Sequence, residues 1–286
     1  MIKFLIYGTI LTVVLCCAYF TFPVKKYDIP LSKIYVINLD KSKERLSKIS
    51  NALESQGLKF ERFKAILGLD LPIENEKGKI FYGKDLKSGK EVFRIGEKYK
   101  IYCPNITLNY TYKPSQSRVG HPLQAGELGI YCSHYEIMLE VIKNRYKSVL
   151  VFEDDALIPA NLSTILKKLE TSMPNYKKYD IIYLGYGASS DKFIDRIKKV
   201  KSIPFSELDK ITSYENMNLG STHAIVYGHN GAAKMIDNLE INKGIDLDLF
   251  EKVNTGLINS YKVKNVNIVQ DNEAASEIQT MGNRLL

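Results

Sequence analysis

The chain has 286 residues, a net charge of +8 at pH 7 and 45% hydrophobic residues, which is the composition of a globular protein rather than of a fibrous or disordered one. The positive charge favours phosphates, anionic lipid surfaces or acidic substrates as partners. We do not expect nucleic-acid binding, because the sequence has no arginine-rich tract, zinc-finger spacing or RNA-binding aromatic motif.

The first 26 residues are expected to form a membrane anchor. The segment from Phe4 to Phe22 is apolar and is followed by Lys25 and Lys26. About 20 apolar residues are enough for a helix to cross a bilayer. Bulky residues stand where the cleavage site of a signal peptide would need small ones. The sequence therefore predicts a single-pass anchor at 1–26 and one folded domain at 27–286.

The side of the membrane on which this domain lies is left open by the sequence. Flanking lysines slightly favour the cytoplasmic side, which in a bacterium is the inner face of the inner membrane. Glycosylation sequons at Asn105, Asn109 and Asn161 are usable only in a secretory lumen, as in a type II protein of the Golgi or ER. Beyond the anchor, Cys103 and Cys132 are compatible with one disulfide or with two free thiols.

Strand and helix patterns alternate along most of the remaining chain. Strands are predicted at 33–39, 60–66, 148–152, 180–185 and 224–227, and helices at 41–56, 126–144, 162–172 and 230–238. This alternation predicts an α/β fold with a mainly parallel sheet flanked by helices. The alternation fails at about 71–122, which we interpret as an insertion with a hairpin at 85–91.

An acidic run directly follows the apolar strand at 148–152. Ligands bind at the carboxyl ends of strands in parallel α/β sheets, where this strand delivers Glu153, Asp154 and Asp155. In an extended chain, Glu153 and Asp155 would lie on one side. There they would hold Mn²⁺ or Mg²⁺ together with substrate phosphates. The alternative is a charged turn that caps the next helix.

Several sequence blocks together resemble glycosyltransferase family 25, which includes lipooligosaccharide galactosyltransferases and collagen-modifying enzymes. The blocks follow the order found in that family: KIYVINLDKSKERL from Lys33, FERFKAI from Phe60, GELGIYCSH from Gly126, FEDDA from Phe152, GSTHA from Gly220, Gly231-Ala232, Val269-Gln270 and Ser276-Glu-Ile278. The chain differs from the family in having Leu67-Gly68 where an Asp-Gly pair is usual, and in the length of the stretch before Gly126.

The resemblance implies a GT-A-type, Rossmann-like domain that transfers a sugar, with inversion, from a nucleotide diphosphate sugar to a glycan. The implied donor is UDP-galactose, and the implied acceptor is a lipooligosaccharide, another lipid-linked glycan or a glycoprotein. Glu153 and Asp155 would bind Mn²⁺ or Mg²⁺, which stabilises the diphosphate leaving group. The residues expected to bind the donor are Asn38, Arg45, Glu127, Ser133, Asp154 and His223. For Arg45, a solvent-exposed helix face is the alternative.

Inversion at the anomeric carbon needs a base for the acceptor hydroxyl. Asp246 and Asp248 are the two candidates, and an acidic residue in the first turn of a helix is the structural alternative. Two other functions compatible with these residues are a metal-dependent enzyme acting on nucleotide phosphates and a non-enzymatic glycan-binding relative.

Overall fold

The computed structural model describes residues 31–88, 92–113, 122–172, 179–185, 208–211, 222–263, 266 and 268–271. The anchor predicted at 1–26 and the domain boundary at 27 lie outside these residues and stay predictions. Within the described ranges, no helix is long and apolar enough to cross a membrane.

The elements in these ranges are twelve strands and five α-helices. The strands are β1 Leu31–Asn38, β2 Glu61–Lys64, β3 Pro72–Asn75, β4 Ile80–Tyr82, β5 Lys98–Tyr102, β6 Thr107–Thr111, β7 Ser148–Glu153, β8 Ile181–Tyr183, β9 Leu208–Ile211, β10 Ala224–Gly228, β11 Glu240–Ile241 and β12 Ser260–Val263. The helices are α1 Lys43–Glu54, α2 Ala125–Lys143, α3 Leu162–Ser172, α4 His229–Ile236 and α5 Ile245–Asn254.

A seven-stranded sheet with the order β2-β1-β7-β10-β8-β12-β9 forms the centre of the fold. Strand β1 is parallel to β2 and β7, and β8 is parallel to β12. Strand β10 is antiparallel to both β7 and β8, and β9 is antiparallel to β12. The α/β class is confirmed, but the sheet is mixed rather than mainly parallel. An apolar strand pattern reports burial on both faces and carries no information on strand direction.

Helices cover both faces of this sheet. Val149 and Val151 of β7 belong to the hydrophobic core under α2, α4 and α5. Leu150 and Phe152 belong to a second core under α1 and α3. Side chains alternate between the faces of a strand, so β7 is buried on both sides up to the point where its carboxylates begin.

A second sheet, of five strands in the order β11-β6-β5-β3-β4, is built largely from the stretch that we expected to be irregular. The prediction of a hairpin at 85–91 is wrong for residues 85–88, which belong to the 3₁₀ helix Gly83–Ser88, and residues 89–91 lie outside the described ranges. Strand β5 alternates exposed lysines with the buried Tyr99 and Ile101. This period-two pattern in Lys98–Tyr102 is a strand signal that the prediction of an irregular stretch overlooked.

A disulfide attaches this second sheet to the rest of the domain. Cys103, in the connection between β5 and β6, is bonded to Cys132 of α2. Beside the bond, the backbone N–H and the side-chain Nδ2 of Asn105 donate hydrogen bonds of 2.7 and 2.8 Å to the Glu136 carboxylate. The structure thus selects the disulfide from the two states that the sequence left open.

Replacing both Cys103 and Cys132 with alanine should lower the free energy of unfolding by about 2–4 kcal/mol, because the disulfide restricts the unfolded chain. The measurement is denaturant unfolding of protein isolated without reductant. Dithiothreitol should destabilise the wild type to a similar extent and leave the double variant unchanged. A wild type that does not respond to dithiothreitol would show that the bond is absent.

Candidate functional site

A cleft opens at the carboxyl ends of β1 and β7. Its walls come from the end of β1, the segment after β2, one side of α2 and the acidic turn after β7. The lining residues are Ile37, Asn38, Leu39, Arg45, Ala65, Ile66, Leu67, Gly68, Gly126, Gly129, Ile130, Ser133, Glu153, Asp154 and Asp155. The acidic run thus lies in a cleft at a strand end, as the sequence predicted.

One wall of the cleft depends on the close approach of α2 to the segment after β2. A Cβ on Gly68 would lie 1.7 Å from the carbonyl oxygen of Ala125, and a Cβ on Gly129 would lie 2.5 Å from that of Ile66. Both distances are far below a van der Waals contact. Only glycine therefore allows the helix and this segment to meet at these two positions.

Ser133 fastens the same wall. Its hydroxyl donates a hydrogen bond of 2.8 Å to the carbonyl of Gly129 and accepts one of 2.9 Å from the N–H of Ile66. The side chain is completely buried. Ser133, which we expected to bind the donor, lines the cleft but uses its hydroxyl to hold α2 against the neighbouring segment.

The chain does not remain extended through the acidic run. Strand β7 ends at Glu153, and a turn over Asp154 and Asp155 is closed by a 3.1 Å hydrogen bond from the N–H of Ala156 to the carbonyl of Glu153. The expected strand-like alternation therefore does not apply beyond Glu153. The turn still leaves all three carboxylates in the lining of the cleft.

Asp154 is held by groups on two elements. The Nδ2 of Asn38 donates a 2.6 Å hydrogen bond to its Oδ2, and the Nε of Arg45 lies 3.3 Å from its Oδ1. The side chains of Arg45 and Asp154 are only 15% and 9% exposed, so Arg45 does not lie on a solvent-exposed helix face. Charge-assisted contacts of this kind fix the orientation of a carboxylate.

Arg62 of β2 extends this cluster, although the sequence patterns did not single it out as a site residue. Its Nε donates a 2.9 Å hydrogen bond to Oδ1 of Asn38, and its guanidinium also contacts Asp40 at 2.6 Å. Asp40 is thereby paired with Lys64 and Arg62, whose hydrogen bonds lower its pKa. The sequence signal that could have identified Arg62 is its position on β2, a strand that runs parallel to β1 and so ends beside the Asn-Leu-Asp segment at 38–40.

Glu153 lies among donors on the other side of the turn. The hydroxyl of Thr222 donates a 2.7 Å hydrogen bond to its Oε1, and the Nε2 of His134 lies 3.7 Å from the same atom. The second ring nitrogen of His134 is 2.9 Å from the hydroxyl of Tyr227. Burial raises the pKa of Glu153, but His134 and Thr222 outweigh it and keep the pKa below its usual value. Neither of these two residues was selected from the sequence.

Asp155 has the least compensated carboxylate of the three. Its Oδ1 is buried and has no hydrogen-bond partner among the residues that the structure describes. Burial, with the like charges of Glu153 and Asp154, raises the pKa of Asp155 to about 7, while Arg45 opposes the shift. A buried carboxylate oxygen without a partner beside two other carboxylates is a suitable ligand for a cation.

The described ranges contain no group of three or more His, Cys, Asp or Glu residues arranged around one metal position. Mg²⁺ commonly uses one or two carboxylates and takes its remaining ligands from water and substrate phosphates. Glu153 and Asp155 match this small number of carboxylates, and they do not form a closed structural site.

Two other expected donor ligands lie outside the cleft lining. The ring of His223 is buried and its Nε2 contacts the carbonyl of Ile268, while burial lowers its pKa. Glu127 is in the first turn of α2, where its carboxylate accepts a 2.7 Å hydrogen bond from the N–H of Gln124 and completes a capping box. Both residues support elements of the site in this structure.

The two candidate bases differ in their surroundings. Asp248 is buried and forms a 2.6 Å ion pair with Lys252, one turn further along α5. Asp246 is partly exposed in the first turn of α5. A Cβ on Gly244 would lie 3.1 Å from Oδ1 of Asp246 and 3.6 Å from Oε1 of Glu127, so the starts of α5 and α2 are neighbours. Neither aspartate is in the lining of the cleft.

Comparison with known proteins places this site in a family. The model of glycosyltransferase family 25, described as an LPS biosynthesis protein, matches residues 31–247. The chain belongs to glycosyltransferase family 25. The matched region of this family 25 protein contains the whole lining of the cleft and includes Asp246, whereas Asp248 lies just beyond it.

The curated relatives are longer than this family 25 chain. It is 24% identical over 228 residues to a glycosyltransferase 25 family member of Drosophila pseudoobscura pseudoobscura, covering 79% of this chain and 30% of the relative. The protein of that name from Drosophila melanogaster is 23% identical, with 79% and 31% covered. An inactive glycosyltransferase 25 family member 3 of Mus musculus is 40% identical over 67 residues, which are 23% of this chain and 11% of the relative. The chain thus spans about a third of the insect relatives.

Replacing the buried Asn38 with alanine should destabilise the protein by about 1–3 kcal/mol, because Asp154 and Arg62 each lose a hydrogen-bond partner in a partly buried place. Denaturant unfolding measures the change. Asn51→Ala, at an exposed position of α1, is the matched control and should stay within about 0.5 kcal/mol of the wild type. Equal effects of the two substitutions would contradict the role assigned to Asn38.

Proposed function

We propose that this protein transfers a sugar from a nucleotide diphosphate sugar to a glycan hydroxyl, with UDP-galactose as donor and inversion at the anomeric carbon. The observation that carries the proposal is the buried Oδ1 of Asp155, which has no partner within the described ranges and lies beside Glu153 in a cleft at the carboxyl end of a central strand. Membership of family 25 supports the reaction class. A lipooligosaccharide, in lipopolysaccharide biosynthesis, or a glycoprotein is the proposed acceptor.

Some residues of the proposed site would bind the metal and the donor, and others orient the carboxylates that do so. Glu153 and Asp155 would hold Mn²⁺ or Mg²⁺, and this cation, when bound, stabilises the charge on the diphosphate leaving group. Thr222 and His134 orient Glu153 and favour its ionised form. Asn38 and Arg45 fix Asp154 at the wall that would face the donor, and the Arg45 guanidinium supplies positive charge near the phosphates.

Asp246 is the proposed base that accepts the proton of the acceptor hydroxyl. Its carboxylate is only partly buried, whereas that of Asp248 is buried and neutralised by Lys252. The polar atoms of Glu127, Ser133 and His223 contact other protein groups. These residues would therefore contribute to donor binding indirectly, by holding the helix ends and the wall of the cleft in place.

A non-enzymatic, glycan-binding function is the second candidate. It is favoured by one comparison, because the mouse relative that is 40% identical over 67 residues is named inactive. The two candidates differ in what they require of the acidic turn. A glycan-binding relative would tolerate neutralisation of Asp155, whereas a metal-dependent transferase would not.

We infer that the folded domain works in an oxidising compartment, with residues 1–26 as its membrane anchor. The Cys103–Cys132 bond supports this placement, because structural disulfides persist in such compartments and are rare in the cytosol. The unfolding measurement with dithiothreitol also tests this inference, since a pair of free thiols in the isolated protein would contradict it.

Asp155→Asn should abolish sugar transfer and leave the fold intact, because it removes a metal-binding charge and relieves repulsion within the turn. The first measurement is the thermal unfolding of wild type and variant with UDP-galactose, with and without Mn²⁺, followed by assay of transfer. The wild type should be stabilised only when UDP-galactose and Mn²⁺ are both present. The variant should not be stabilised by UDP-galactose, with or without Mn²⁺.

The matched control for this variant is Asp237→Asn, an exposed aspartate just beyond α4. It should retain both the stabilisation and the transfer. Normal turnover by Asp155→Asn would contradict the metal assignment. Release of free phosphate or pyrophosphate without sugar transfer would instead indicate an enzyme acting on nucleotide phosphates.

Replacing each aspartate of α5 with asparagine should distinguish the roles of Asp246 and Asp248. Asp246→Asn should lower kcat by about 10²–10⁴-fold with an unchanged melting temperature, which is the usual range for loss of a general base. Asp248→Asn should destabilise the fold by about 3 kcal/mol, because Lys252 remains buried without its counter-charge. If Asp248→Asn instead abolished activity without destabilising the protein, Asp248 would be the base.

A further inference from the structure

The outer face of the second sheet carries a row of ring side chains. Strand register places Tyr82 of β4 opposite Pro72 of β3. The pairing of Ile73 with Ile101 in the next two strands then brings Pro72 beside Tyr102 of β5. Alternate residues of these strands point into the core, so these three lie together on the opposite face. Two strand spacings separate the tyrosines, which is roughly 10 Å.

The rings in this row are accessible and held in place. Tyr82 is 44% exposed, and the ammonium of Lys84 lies 5.3 Å from the centroid of its ring. Tyr102 is half-buried, and its hydroxyl donates a hydrogen bond to the carboxylate of Glu74. The Tyr102 ring, which this hydrogen bond orients, therefore loses little conformational entropy when a ligand stacks on it.

A polar groove continues along the same face from Glu74. Strand register places Lys100 opposite Glu74, Asn109 opposite Lys100, and Glu240 opposite Asn109. The groove therefore presents a carboxylate, an ammonium, an amide and a second carboxylate in sequence, and its whole lining has three glutamates and two lysines, which is close to charge balance. This composition suits a neutral ligand that is rich in hydroxyl groups, since each such group both donates and accepts hydrogen bonds.

The ring row lies at the end of the sheet nearest to the cleft. The N–H of Gly83, next to Tyr82, donates a 3.0 Å hydrogen bond to the carbonyl of Leu71, next to Pro72. A Cβ on Gly83 would lie 1.8 Å from the carbonyl oxygen of Gly68, which lines the cleft. The end of the second sheet that carries the ring row therefore packs directly against the segment that lines the cleft.

We propose that this outer face, from Tyr82, Pro72 and Tyr102 to the groove beyond Glu74, binds a neutral oligosaccharide. Tyrosine rings bind the apolar C–H faces of sugar rings, and the groove binds their hydroxyl groups. The oligosaccharide is the non-reacting part of the acceptor, so this inference rests on the proposed transferase function. Binding at a distance from the reacting hydroxyl would position that hydroxyl at the cleft.

Strand β4 is an edge strand, for which an extended polypeptide would be a different kind of partner. The strand has only three residues and is flanked by Lys79 and Lys84. The N–H of Tyr82 already donates a 2.7 Å hydrogen bond to Asp85. Short, lysine-flanked edges are poor templates for pairing with another strand, so the geometry favours the saccharide.

The test is binding of the full chain to an array of neutral oligosaccharides of two to six hexose units, followed by titration of the strongest ligand. Tyr82→Ala should raise its Kd about five- to tenfold, as expected for one lost ring contact. Ile95→Ala removes a side chain that is 72% exposed in the loop before β5, and it should leave the Kd unchanged. Tyr102→Phe keeps the ring and should bind nearly as well as the wild type.

The outcomes separate this inference from the proposed function. Asp155→Asn should retain oligosaccharide binding while losing transfer. Binding that depends on Tyr82 in a protein that transfers no sugar would support the saccharide surface and contradict the transferase. An array with no ligand, equal affinities of Tyr82→Ala and wild type, or binding only to extended peptides in a parallel peptide array would overturn the inference.

Discussion

The site depends on the concentration of three carboxylates at the end of one buried strand. Strand β7 is apolar on both faces and leads directly into Glu153, Asp154 and Asp155. Like charges at such short spacing raise one another's pKa values and require compensation. Asp154 is compensated by Asn38 and Arg45, and Glu153 by Thr222 and His134. Asp155 is left with a buried oxygen that has no partner among the described residues. The protein thus supplies hydrogen-bond donors of its own to Asp154 and Glu153, and the unsatisfied oxygen of Asp155 is the feature on which the proposed metal site rests.

The compensating groups come from distant parts of the chain, which explains why the cleft needs the whole fold. Asn38 ends β1, Arg45 lies on α1, Thr222 precedes β10 and His134 lies in the middle of α2. The wall opposite the acidic turn is held by Gly68, Gly129 and Ser133, where glycine permits a contact that any side chain would block. The disulfide and the bonds of Asn105 then fix the second sheet to the same helix. Helix α2 therefore connects the proposed donor site to the face that we assign to the acceptor.

Much of the fold and part of the candidate site were accessible to sequence reasoning. Five of the seven central strands and the helices predicted around them agree with the structure within a few residues, since apolar periodicity reports burial directly, whereas β9 and β12 were not predicted. The direction of β10 was not accessible, because a strand buried on both faces has the same pattern in either direction. The second sheet was missed although Lys98–Tyr102 alternates, because its strands have only two to five residues and the turns between them are rich in lysine and glycine.

The sequence by itself determined the α/β class, the acidic run after a buried strand and, through its ordered motifs, the resemblance to family 25. These are local properties of neighbouring residues, and local patterns suffice to detect them. Only the tertiary structure decided which groups contact each carboxylate of the acidic run. It also decided that Asp248 forms an ion pair with Lys252 and that Cys103 is bonded to Cys132. It also brought Tyr82, Pro72 and Tyr102 into one row beside the cleft. Such contacts join residues far apart in the chain, and a strand's own pattern does not specify which strand it pairs with.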